Sequence, residues 1–282
     1  MKKLVVFAAL AAFMASCADD NPPKVVEDDN LISPKLQMDI ATASGQSPLT
    51  GILTITPCKA GTSIYFGNYV NRKLTPLYGY YHVKDGTFYN DAINRELSLP
   101  AGNYNMIYWG TPKYEEPTYA HPTVMEPVYV IGGDMSKQHF SMLKMPSDTT
   151  YYPVFDLVYA AQPAKIGTEN LQAALKRVVA GIKVIIKNKD NGILSSSIDS
   201  TIVRVTNIAQ ELNFYTGSPQ GGSVTVAFPL IRSVDGTQMS NATVMLFPSF
   251  GKPEFQMTII LKNGTKKSFK QALNAPMEAN SK

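Results

Sequence analysis

The chain has 282 residues, with 26 lysines and arginines against 22 acids, and 44% of its residues are apolar. That length is more than one compact sandwich needs and suits two domains, each able to bury a core. The near-neutral balance, with no basic block and no arginine-rich patch, excludes a nucleic-acid-binding surface.

Lys2 and Lys3 open the chain. Leu4 to Phe13 follow as an apolar run of signal-peptide length, too short to span a bilayer. Then comes Ala15-Ser16-Cys17, and small-small-cysteine resembles the lipobox, where the thiol is acylated and the chain is cut just before it. Met14 stands where that motif usually has leucine. The expectation is a lipoprotein signal peptide over residues 1–16 and a lipid on Cys17. Two or three acyl chains bury tens of methylenes at about 0.8 kcal/mol each, so such an anchor is permanent in effect. An ordinary secreted chain would instead leave Cys17 able to pair with Cys58, the only other cysteine. Cleavage removes two lysines and no acid, so the formal charge falls from +4 to +2. Residues 17–34 read as a short solvated tether, with adjacent prolines, five acids and few large apolar side chains. Acids just after the lipidated cysteine also resemble the export signal of Bacteroidetes lipoproteins carried to the outer face of the outer membrane.

Beyond the tether, short apolar–polar alternations rich in Val, Ile, Thr, Tyr and Phe are separated by Gly, Pro and Asn turns. Strands are expected at Leu36–Ile40, at Gly51–Thr56 (stopping at Pro57), at Thr62–Phe66 and at Gly79–Val83. Lys84-Asp85-Gly86 closes the last of these as a hairpin turn. Arg95–Leu99 leads through Pro100-Ala-Gly102 into Asn103–Trp109. Residues 110–125 read as a long loop, after which strands return at Pro127–Ile131, Gln138–Met145 and Tyr151–Tyr159. A composition break at Pro163–Ala174, with a short helical turn at Glu169–Ala174, marks the expected boundary. A continuous strand from Leu175 to Asn188 opens the second half. Further strands are expected at Ser200–Asn207, Leu212–Tyr215, Ser223–Ile231, Ala242–Phe247 and Phe255–Leu261. Asn263-Gly264 is the strongest hairpin signal, with Lys266–Ala272 as the return strand. The expected organisation is all-β: two tandem β-sandwich domains at 35–160 and 161–282, after the signal peptide and tether.

Catalytic signals are sparse. His82, His121 and His139 stand in no metal-ligand spacing, and Cys58 has no cysteine or histidine near it in sequence. No phosphate-cradling loop, nucleophile elbow or dinucleotide fingerprint occurs, so neither metal nor cofactor is expected. Glu115-Glu116 are neighbours, which point to opposite sides of an extended chain and make no acid–base pair. Aromatics are a stronger candidate. Trp109, Tyr114 and Tyr119 cluster around the long loop and could stack on a glycan or anchor a protein partner. Equally, aromatics on sandwich strands are often half-buried core with a wet hydroxyl.

Leu99-Pro-Ala-Gly-Asn-Tyr-Asn-Met-Ile-Tyr-Trp-Gly110 resembles a segment of the fimbrillin-type lipoproteins of Bacteroidales and the anchor subunits related to them. Phe155-Asp-Leu-Val-Tyr159, followed by Leu175-Lys-Arg-Val-Val-Ala-Gly-Ile-Lys-Val-Ile-Ile186, is similar to the segment that opens their second domain. The resemblance implies a transthyretin-like first domain, a second sandwich, surface display on the outer membrane and a place in a pilus as anchor or subunit. Its partners would be other fimbrial subunits joined by strand donation, with no enzymatic activity. It also implies a structural role for Arg177 at the domain junction, with Asp156 as an ion-pair partner. Family members carry a further strand after an asparagine like Asn280, whereas this sequence ends at Lys282. Either the sequence is short, or the second sandwich lacks its last strand and carries an open edge. Asp148-Thr149-Thr150 and Asp199-Ser200-Thr201 resemble the Bacteroidetes signal for O-glycosylation, making Thr149 and Ser200 candidate acceptors. A glycan-binding outer-membrane lipoprotein of a polysaccharide-utilisation system is the alternative reading.

Overall fold

The computed structural model describes residues 30–75, 79–89, 95–112, 124–146, 148–168 and 170–281. Its first ten strands are β1 (Leu31–Ile32), β2 (Leu36–Thr42), β3 (Gly45–Pro48), β4 (Gly51–Lys59), β5 (Asn68–Val70), β6 (Lys73–Thr75), β7 (Gly79–Lys84), β8 (Thr87–Phe88), β9 (Leu97–Pro100) and β10 (Gly102–Pro112). β11 (Val124–Met125), a 3-10 turn at Met135–Lys137, β12 (His139–Met142), β13 (Val158–Ile166), β14 (Leu171–Arg177), β15 (Ala180–Ile182) and β16 (Ile185–Lys187) follow. The last are β17 (Ile198–Asn213), β18 (Pro219–Arg232), β19 (Gln238–Ser240), β20 (Val244–Leu246), β21 (Glu254–Leu261) and β22 (Lys266–Ala272). The chain is all-β, arranged as sandwich-like sheets in two units.

The first unit pairs a four-stranded sheet, β1-β9-β5-β6, with an eight-stranded one, β3-β2-β14-β13-β10-β4-β7-β8. The alternation of β10 explains why. Tyr104, Met106 and Tyr108 enter the core between these two sheets. Ile107 and Trp109, on the opposite face, enter a second core shared with the rest of the chain. A sheet covered on both faces has no solvated side, so β10 is nearly continuously buried rather than apolar-in, polar-out.

The second unit is built on the long β17, which pairs with β18 on one side and with β12 and then β21 on the other. β22 extends β21, and β16 and β19 continue from the end of β18. β15 pairs with β20 as a separate ribbon.

Several expectations change. The boundary placed at 160/161 falls inside β13, and β14 lies in the same sheet, between β13 and β2. The chain leaves the first unit's sheet only after Arg177. The helical turn expected at Glu169–Ala174 gives way to β14, where Leu171, Ala173 and Leu175 point inward at period 2 and the backbone pairs in parallel with Leu36–Ile40. The strand expected over Leu175–Asn188 is three shorter ones, because its successive partners are β13, β20 and β19. β4 runs through Pro57 to Lys59; past the end of β7 this edge borders Ile64–Phe66, where the Pro57 carbonyl accepts from the Phe66 N–H at 2.9 Å and the ring gives no donor in return. Pro127–Ile131 forms no strand: the Val128 N–H donates to Gln138 Oε1 at 3.1 Å and the Val130 carbonyl accepts from the Gly133 N–H at 2.8 Å. The hairpin at Asp85-Gly86 forms as expected, both residues taking positive φ, and β21–β22 forms about Asn263-Gly264.

Candidate functional site

The site is an uncovered edge of the second unit. From Val179 to Lys187 the backbone alternates strictly. Ala180 and Ile182 pair with β20, and Val184 exchanges hydrogen bonds with Asn241, its N–H donating to Oδ1 at 2.8 Å. These even-numbered residues turn their backbone toward β19 and β20, while Ile182, Val184 and Ile186 pack side chains onto the core. The odd-numbered residues therefore turn theirs to the other edge. Val179 accepts from the Asn280 N–H there at 2.9 Å, and Gly181 donates to Ser281 at 2.8 Å. Among the described residues no strand pairs with Lys183, Ile185 and Lys187 on that side, and all three side chains are exposed.

The layer beneath matches. Met239 of β19 lies over Thr201 of β17, with 3.5 Å between Sδ and Oγ1. Met257 and Ile259 of β21 share the inward face with their buried partners Val203 and Thr201, yet are only half covered. Phe269, opposite Met257 on β22, is 53% exposed. The inner face of β22 is mixed, Phe269 standing between Lys267, opposite Ile259, and Gln271, opposite Phe255.

A second feature is the junction. Arg177 grips Asp156 with two parallel bonds, Nε to Oδ1 at 2.7 Å and one terminal nitrogen to Oδ2 at 2.9 Å. Its other terminal nitrogen reaches Asn280 Oδ1 at 3.3 Å. The carboxylate beside it holds the guanidinium above its ordinary pKa. The pairing expected from sequence is present, and it ties the end of β14 to the chain next to the open edge.

Trp109 is not an exposed platform. It is buried, its Nε1–H donates to the Phe214 carbonyl at 3.0 Å, and its ring packs on Phe140, Tyr159 and Phe214. No glycan can stack on it, because both faces belong to the core that joins the units. Tyr114, Tyr119 and Cys17 lie outside the described residues, as does His121. Thr149 is exposed, its N–H and hydroxyl both donating to Asp148 Oδ1. Ser200 is half-buried in β17 opposite Ile260. Cys58 is buried, and desolvation with Asp134 nearby pushes its thiol up to about 12. Between β13 and β14 the sheet opens into a cleft of about 370 Å³ lined by Gln162, Pro163, Ala164, Asn170 and Gln172, none of which ionises.

In the sequence Lys183 and Lys187 stand as the charges that end the Leu175–Asn188 run, with Ile185 between them. Their signal was present in the alternation of lysine and apolar residues, but a continuous strand gives no hint of which edge stays unpaired.

The fold defines an all-β protein of two sandwich-like units that share a core. The chain belongs to the family of fimbrillin-A associated anchor proteins Mfa1 and Mfa2, whose model matches residues 27–281. Its fold is similar to that of the fimbrial anchor protein Mfa2 from Porphyromonas gingivalis, with TM-score 0.51, 13% identity and coverage of 83% of this chain and 79% of that one. A candidate adhesin from Bacteroides ovatus gives TM-score 0.51 at 11% identity over 92% of this chain and 87% of its own. A candidate polysaccharide-binding protein from Bacteroides thetaiotaomicron gives 0.51 at 10% identity over 82% and 76%. No curated protein matches the sequence. Family membership makes this a fimbrial protein with a structural role, one that associates with other fimbrial subunits at the cell surface.

Proposed function

We propose that this chain is a lipid-anchored outer-membrane fimbrial subunit of the anchor class, held through Cys17, and that it joins neighbouring subunits by strand-mediated assembly. The observation that carries the reading is the match of the fimbrial anchor family's model over residues 27–281, beside the lipobox-like Ala15-Ser16-Cys17 near the start of the sequence.

Cys17→Ser tests the anchor: the variant should move from the outer-membrane fraction to a soluble one, lose palmitate labelling and leave fimbriae shed into the medium. Retention in the outer-membrane fraction with fimbriae held at the parental level would overturn the assignment.

A further inference from the structure

We propose that Gln162 is a latch on a seam in the first unit's sheet, its side-chain amide standing in for the backbone donor that Pro163 lacks. Between β13 and β14 the Leu157 carbonyl accepts from the Val178 N–H at 3.0 Å, and pairing stops after Val158–Arg177 and Tyr159–Lys176. In that register the odd-numbered residues of β13 turn their backbone groups toward β14. The next ladder positions are therefore Ala161 opposite Ala174 and Pro163 opposite Gln172. On the other strand the Leu171 N–H donates to the Lys35 carbonyl beside β2, which turns Gln172 and Ala174 toward β13. Proline has no N–H to give. The Gln172 carbonyl that it would have served accepts instead from Gln162 Nε2. Beyond the last backbone pair the strands part into the cleft of about 370 Å³ that Gln162, Pro163 and Gln172 help to line.

Two features leave the seam dependent on this bond. From Leu171 to Leu175 the backbone of β14 pairs only with β2, and its two alanines are poor strand formers and good helix formers. The seam also divides the sheet. β2 and β14 lie on one side of it, and β10 and β13, which carry Trp109 and Tyr159 to the core shared with the second unit, lie on the other. With the amide in place the two sides move together. When it lets go, the mouth of the β13–β14 hairpin widens and water gains Ile166 and Leu171, both buried in the first unit's core at that end. Gln162 thus acts as a positioning residue, setting how firmly the two sides of the sheet are coupled.

Hydrogen exchange of the full chain, resolved by NMR at the Tyr159 and Lys176 amides, tests this, because those two form the last rung before the seam. In Gln162→Ala both should exchange about fivefold faster, the scale of one neutral hydrogen bond. The β17 amides should keep their parental rates, which marks the change as local opening rather than global unfolding. Gln162→Glu keeps the shape but offers no donor at neutral pH, so it should match the alanine variant. A side chain that merely packs would leave it at the parental rate. Pro163→Ala restores the backbone donor, and adding Gln162→Ala to it should no longer change the two rates. Parental exchange in Gln162→Glu, or an equal effect of Gln162→Ala in both backgrounds, overturns the latch. Neither result bears on the anchor reading, which is tested at Cys17.

Discussion

Burial decides the chemistry of the one cysteine in the described residues. Cys58 lies in the shared core with its thiol pushed up to about 12, so almost none is thiolate at neutral pH. Native protein at pH 8 should resist iodoacetamide, and the same sample in urea should label fully, with intact mass as the measurement. Asp134 is held the opposite way. Ser136 and Ser63 donate to its Oδ1 at 2.7 and 2.6 Å and depress its pKa to about 2. A depressed carboxylate favours folding above the unfolded value near pH ~4 and loses that contribution as pH falls toward 2. Thermal midpoints of the parent should therefore fall more steeply between those limits than those of Asp134→Asn. Trp109 shows why residue-level reading falls short. Its placement on a strand was legible, but both solvent-facing and core-facing aromatics alternate at period 2. Only the second unit, packed on the far face of β10, makes that face interior.

At the scale of the element, the motif around Gly102 was readable because its physics is local. Leu99 is buried, Gly102 takes φ +156, and the Tyr104 hydroxyl donates back across the turn to the Pro100 carbonyl at 2.9 Å. Gly110 was readable only as part of a resemblance. A Cβ there would lie 2.7 Å from Val158 of the neighbouring strand, a contact made by residues far apart in sequence. β14 illustrates the opposite failure. Leu-Gln-Ala-Ala-Leu-Lys-Arg is made of good helix formers, yet pairing with β2 and inward burial at period 2 override propensity. The clasp at its end invites a double-mutant cycle. Arg177→Ala and Asp156→Asn should each cost about 2 kcal/mol of unfolding free energy, the scale of a hydrogen bond to a charged group. The double variant should cost clearly less than the sum, because each single change already removes the shared bonds. Additive losses in urea titrations would mean that the pair contributes no coupling.

The whole molecule is held as one body by a core that neither unit owns. Trp109 of the first unit's sheet and Phe214 after β17 stack with centroids 5.8 Å apart, and the indole N–H is tied to the Phe214 backbone. Asn105 donates to the Tyr215 hydroxyl at 2.7 Å, and Tyr159 donates to the Tyr215 carbonyl. Such contacts exceed what a polar, sliding domain interface offers. Load on either unit therefore reaches the other through packed side chains rather than a linker. The consequence is cooperative unfolding. The chain contains one tryptophan, at the interface itself, so fluorescence reports the shared core while far-UV circular dichroism reports all strands. The two urea transitions should coincide for the parent chain. Phe214→Ala, a core truncation costing about 3–5 kcal/mol, should shift both curves together. It should also lower hydrogen-exchange protection of β10 amides, although Phe214 lies in the other unit. If only β17 and β18 lose protection while β10 keeps its own, the units are independent, and force applied at the edge would unfold the second sandwich alone.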